Sequence, residues 1–232
     1  MTEFTSNFLY IDYETNKNMD FYMVGFSEDG QRIEQVVLDP ELRGFAETRK
    51  LAVTDPLSIT KSLLARAKRQ NATIVAFSEA EKNVFKQLNA EGELEEFREV
   101  KYLNLAKASK VWIRRCRSQE FRNLGSYLPN RKLKGMFRKV LDNSLPSRMR
   151  LLDFKPPSTH APGLTTTRFN VVKSALVKRA QNYSALTPTQ KRKGTCAAKH
   201  NEWDVGALPV LLNAVKREHA VALRGALTTC LA

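Results

Sequence analysis

Cysteine is scarce and unpatterned. Cys116, Cys196 and Cys230 are odd in number and stand without a CxxC pair or a Cys/His ligand spacing. Neither a disulfide framework nor a zinc site is indicated, and a reducing, cytoplasmic setting is expected. Long apolar runs are missing too. No window approaches the roughly 18 apolar residues of a membrane-spanning helix, and the opening MTEFTSNF lacks the basic segment of an export signal. A soluble, unexported protein with no membrane partner is expected. No internal repeat and no low-complexity tract is visible. Acids are few against bases: 24 Asp and Glu face 38 Lys and Arg, a net charge of +14. Such a balance favours polyanionic partners, nucleic acid first and an anionic membrane surface second. At 232 residues and 42% hydrophobic content, the chain can bury one sizeable core, and a single domain over 1–232 is the reading.

The amino-terminal part alternates short β-type runs with turn signals: FLYIDYE, ETNKNMD, FYMVGF, SEDG, QRIEQVVLD. This pattern predicts a three-stranded meander. DPLSITKSLLARAKRQN then carries Ile59, Leu63, Leu64 and Ala67 at helical spacing, with Ser58 as candidate N-cap. An apolar strand follows in ATIVAFS, and EAEKNVFKQLNAEG reads as a helix with acids in its first turn and a glycine past its end. From Lys107 to Arg150 the composition shifts to thirteen Lys and Arg against two acids, Glu120 and Asp142. This basic helical segment, about 107–150, reads as an insertion. PPSTHAPGLTTT is a loop, RFNVVKSALVKRAQNYSAL resumes helical spacing, and NEWDVGALPVLLNAVKREHAVALRGAL is one long helix or two, with Pro209 in a first turn or at a kink.

FLYIDYET poses the sharpest question, because an apolar run ends in two carboxylates, Asp12 and Glu14. Residues i and i+2 of a strand share a face, so the two lie roughly 6–7 Å apart at their α-carbons. A hard divalent cation with oxygen ligands would relieve their repulsion. Taken alone, the pair reads equally as solvated acids at a strand end. Glu79 and Glu81 open the helix after ATIVAFS, where acids are also ordinary first-turn residues. In KHNEWDVGALPVLL, His200 and Asp204 are four apart and share one helix face; Asp204 could instead be a capping acid.

These stretches resemble the DEDD exonuclease superfamily, whose fold is RNase H-like. DYET is similar to its DxET first motif. HNEWDVGAL is similar to its third motif, in which a histidine or aromatic precedes the last aspartate and the text continues D-V-x-A-L. VAFSEAEKNVF is similar to the middle motif of one branch. The three occur in the superfamily's order and span residues 8 to 212. Two features depart from the pattern: Glu81, with Glu79 as second choice, stands where Asp is usual, and H-x3-D mixes the two forms of the third motif.

The resemblance implies a mixed five-stranded α/β sheet, an antiparallel meander followed by parallel strands, flanked by helices. It implies a 3′–5′ exonuclease hydrolysing DNA or RNA with two Mg²⁺ or Mn²⁺ ions held by Asp12, Glu14, Glu81 and Asp204, with His200 orienting or deprotonating the attacking water. The basic segment would then grip a single strand through Trp112, Arg114, Arg115, Arg117, Arg131, Lys132, Lys134, Arg138 and Lys139, by phosphate contact and stacking. The KRK tract at 191–193 is a lesser candidate, and His160, His219 and the cysteines read as structural. A non-catalytic nucleic-acid-binding module on the same fold and an RNase H-like or resolvase-like endonuclease are the open alternatives.

Overall fold

The computed structural model describes residues 7–16, 18–126, 144–160 and 163–230. Strands β1 (Phe8–Thr15), β2 (Phe21–Ser27), β3 (Glu34–Val37), β4 (Ala52–Val53), β5 (Thr73–Ala76), β6 (Lys101–Asn104) and β7 (Leu227–Thr229) form one mixed sheet. Its order is β4-β3-β2-β1-β5-β6-β7. The meander pairs antiparallel, β5 joins β1 and β6 joins β5 in parallel, and the two edges are β4, parallel to β3, and β7, antiparallel to β6. The sheet therefore has seven strands rather than five. The added edge strands are two and three residues long, too short for alternation to announce them.

The described helices are α1 (Arg43–Thr48), α2 (Pro56–Arg69), α3 (Ala80–Leu88), α4 (Leu105–Cys116), α5 (Ser118–Ser126), α6 (Leu145–Met149), α7 (Thr165–Val177), α8 (Pro188–His219) and α9 (Val221–Arg224). None is long and apolar enough to cross a membrane. The N-cap of α2 lies three residues before the expected one: it is Asp55, accepting from the Ser58 N–H at 2.8 Å, and Pro56 occupies the first turn, where its missing N–H costs nothing.

Alternation on β1 sorts the two faces of the sheet. Leu9, Ile11 and Tyr13 pack with Leu63, Leu64 and Phe85 of α2 and α3. On the other face Tyr10 lies in a core with Trp112 of α4 and Val205, Leu208 and Leu212 of α8. Further along that face, Tyr22 and Met23 of β2 pack with Phe169 of α7 and Ala197 and Ala198 of α8. Helix α8 is one element of 32 residues with Pro209 inside it, so the tail is a long helix followed by a short turn and an edge strand. A capping box between Thr187 and Gln190 fixes its start. It crosses the sheet from the β2 side to the β1 side, and its middle lies over the two acids of β1.

Candidate metal centre

The parallel pairing of β1 with β5 ends at Tyr10 and Val75, while its pairing with β2 continues to Thr15. Asp12 and Glu14 thus sit on an extension of β1 past the carboxyl end of β5, a place where open α/β sheets form ligand crevices. The side chain of Asp12 lies on the α8 face, opposite Gly25 in register. A Cβ on Gly25 would collide with Asn201 Oδ1 and come 2.9 Å from Val205 Cγ2. The bare backbone there lets α8 descend onto the sheet. The fully buried Asn201 then donates from Nδ2 to the Asp12 carbonyl at 3.0 Å and to Asp12 Oδ2 at 2.8 Å. Gln35 Nε2 donates to Asn201 Oδ1 at 3.0 Å and to the Ala198 carbonyl at 2.8 Å, which pins the helix from the other side.

One turn along α8, Asp204 brings a carboxylate oxygen within 4.8 Å of oxygens of both Asp12 and Glu14. Two histidines address the Asp204 carboxylate: His200 Nε2 lies 3.1 Å from Oδ2, and His160 Nε2 lies 3.1 Å from Oδ1. Their rings stack, with centroids 3.8 Å apart, and His160 meets the Trp203 ring at 4.8 Å, while Phe154 stacks on Trp203 at 5.7 Å. The segment around 154–160 is thereby clasped to α8. Glu81, in the first turn of α3, is buried and accepts from Ser78 Oγ at 3.3 Å. Its charge bears on Asp12, Glu14 and Asp204. The other middle-motif choice, Glu79, is held by Lys107 at 2.6 Å and Asn104 at 2.9 Å. Asp153 is exposed, and Asp142 lies outside the described residues.

Burial is the main cause that pushes the Asp12 and Glu14 carboxyls well above the ordinary range, and the neighbouring acids push them further. Burial, with a smaller contribution from Asp204, raises Glu81 to about 7. Burial opposes ionisation of Asp204 as well, but the hydrogen bonds from His160 and His200 outweigh it and hold that carboxyl below its usual value. Among the described residues no Lys or Arg pairs with any of the four acids. Glu14 Oε1 is buried without a hydrogen-bond partner, as is His200 Nδ1. Native structures rarely leave such groups unmatched, and an orphan carboxylate oxygen aimed among other acids suits a cation.

The expected nucleic-acid contacts fare unevenly. Trp112 is fully buried in the core under α8 and donates from Nε1 to Glu218 at 2.9 Å, so it presents no face for a base. The spacing Leu105, Ala108, Trp112 already marks a helix's apolar stripe. Arg117 is clamped by Glu218 through Nε at 2.8 Å and Nη2 at 2.6 Å, and also pairs with Glu120. Arg114 and Arg115 are exposed. Arg131, Lys132, Lys134, Arg138 and Lys139 lie outside the described residues. His160, expected to be structural, instead joins His200 on Asp204. Asn201 and Gly25 were not expected at the site at all; a glycine inside FYMVGFS is the one signal of a close backbone approach. No protein-family model, no curated protein and no solved structure matches the chain.

Proposed function

We propose that the chain is a metal-dependent nuclease on an RNase H-like fold, hydrolysing phosphodiester bonds of DNA or RNA as a 3′–5′ exonuclease. The observation that carries this reading is the convergence of carboxylates from β1 and α8, with buried Glu81 of α3 bearing on them electrostatically, without a Lys or Arg partner among the described residues, in a chain of net charge +14. At an effective dielectric of about 20, two ionised carboxylates some 4–5 Å apart repel by roughly 3–4 kcal/mol. A fold retains that cost where a cation offsets it. The three antiparallel strands followed by helix, parallel strand and helix are the order that the RNase H-like reading requires, and they support it.

Asp12, Glu14 and Asp204 would hold the metal, with Glu81 beside them. Divalent cations bound there supply a water of lowered pKa and offset charge on the phosphate. The protein's own part is positioning. Asn201 fixes Asp12 through its carbonyl and Oδ2. His160 and His200 orient the Asp204 carboxylate.

End-labelled single-stranded DNA and RNA, incubated with Mg²⁺ or Mn²⁺, test the reading. Stepwise shortening that is lost in Asp12→Ala and Asp204→Ala is expected; equal activity in both variants and wild type sinks it. Cleavage of circular substrates would move the assignment to an endonuclease, and salt-dependent binding without cleavage would move it to a binding module.

A further inference from the structure

A cavity of about 450 Å³ opens between the first turns of α7 and the amino-terminal half of α8. Its walls carry Arg168, Arg192 and Lys193 and no acid, with hydroxyls from Thr159 and Thr167 among them. None of the three cations forms an ion pair among the described residues, and Arg168 Nη1 is buried without any hydrogen-bond partner. Arg117, by comparison, is matched by Glu218 through Nη2 at 2.6 Å. Three cations on an acid-free wall, none of them in an ion pair among the described residues, suit an anion.

The cavity adjoins the acid centre at two points, and the start of α7 is tied to β1 nearby. Thr159 immediately precedes His160. Cys196, on the cavity wall, lies one turn of α8 before His200, about 6 Å along the axis. Thr166, at the start of α7, donates from Oγ1 to the Thr15 carbonyl at 3.3 Å, next to Glu14. Leu164 stands on the wall 47% exposed, an apolar surface beside the cations that suits a sugar or a base. A second cavity of about 540 Å³ shares Thr167 and continues along α7 past Asn170 to Lys178 and Arg179. The two together run about 20 Å, the length of α7, with cations towards both ends.

Resting on the nuclease reading, we infer that this α7–α8 groove, rather than the basic segment of about 107–150, is the path by which the phosphates of a single strand reach the acid centre. The chemistry recognised is a phosphate ester with an apolar neighbour, and a strand threading towards the acids supplies several in a row. Positive charge along the groove, set apart from the carboxylates, gathers the chain without neutralising the groups that hold metal.

Fluorescence anisotropy of a labelled single-stranded oligonucleotide, in EDTA so that no cleavage intervenes, reads the groove directly. Arg192→Glu combined with Lys193→Glu is expected to weaken binding about tenfold or more and to flatten the salt dependence by about 1–1.5 in slope. Arg114→Glu combined with Arg115→Glu is the control of equal charge and should change little. Arg168→Gln, a milder change, should lose affinity with the melting temperature unaltered. Unchanged affinity in the groove variants overturns the inference, as does an equal loss in the control. Tight binding of a free nucleoside monophosphate that does not compete with the strand overturns it too, since the cavity would then serve small phosphates. Groove-dependent binding without cleavage under Mn²⁺ would overturn the nuclease reading alone. Cleavage by wild type with groove variants unaffected would overturn the groove alone.

Discussion

Glu81→Gln should stabilise the metal-free protein at alkaline pH, and the size of the effect follows from the environment of Glu81. Its carboxyl is raised from an ordinary 4.5 to about 7, chiefly by burial, with Asp204 adding to the shift. A group whose folded pKa is raised contributes stability that is present below the unfolded pKa and is lost as pH rises through the folded pKa. Wild type in EDTA should therefore lose stability between about pH 4.5 and 7, with most of the loss complete by pH 8. The shift corresponds to about 3 kcal/mol at 1.36 kcal/mol per unit, or roughly 6–12 °C in melting temperature for a chain of this size. Glutamine keeps an oxygen to accept from Ser78 Oγ and carries no charge to desolvate. Melting curves from pH 5 to pH 8.5 in EDTA should show Glu81→Gln close to wild type at the acid end and several degrees above it at the alkaline end. Saturating Mn²⁺ should close the gap, because an ion at 100 times its Kd adds about 2.7 kcal/mol to a fold that binds it. A variant less stable than wild type at pH 8.5 would refute the reasoning, as would a wild type whose melting temperature is flat across that range.

Three further outcomes follow from contacts around the site. Gly25→Ala drives a methyl into Asn201 Oδ1 and close to Val205; urea unfolding should show a loss of about 1–3 kcal/mol, together with loss of activity even in the folded fraction, because Asn201 can no longer hold Asp12. His160→Ala removes one of the two hydrogen bonds to Asp204, and titration calorimetry should find Mn²⁺ bound 10–100-fold more weakly, a range typical of outer partners of metal ligands; unchanged affinity would return His160 to a packing role. Trp112→Phe forfeits the bond to Glu218 and should cost about 1 kcal/mol with oligonucleotide affinity unchanged, whereas a tenfold loss of affinity in a folded variant would reinstate it as a stacking residue.

Local periodicity made much of this molecule legible. The i, i+2 spacing of Asp12 and Glu14 on a strand and the i, i+4 spacing of His200 and Asp204 on a helix each imply neighbouring side chains, and those neighbours are found. Contacts between distant segments left no such trace. Asn201 reaches Asp12 across 189 residues, and His160 reaches Asp204 from a loop 44 residues away. Nothing in a single sequence ties those positions together. The error over Trp112 has a different origin. Arginines beside an aromatic suggest stacking on nucleic acid, but the helical period of Leu105, Ala108 and Trp112 outranks composition, because one face of α4 must cover the sheet.

The long helix links the two halves of the proposed activity. Arg192, Cys196, His200 and Asp204 follow one another at four-residue steps over about 18 Å, adjacent pairs sharing a face that winds about 40° round α8 with each step. Two glycine contacts set the height and register of that face. Gly25 lies beneath Asn201, and Gly194 rests on the Phe45 ring, where a Cβ would come within 2.9 Å. Both contacts are backbone against packed neighbours, so α8 has little freedom to rise or slide without losing core. The cations of the groove and the carboxylates of the centre therefore move as one body. Separation along the helix, not a mobile part, lets a strongly basic chain attract a polyanion while leaving its acids uncompensated. Arg192 is about 18 Å of helix from Asp204, more than twice the screening length at physiological salt, so the groove's charge reaches an approaching strand and does little to neutralise the acids it serves.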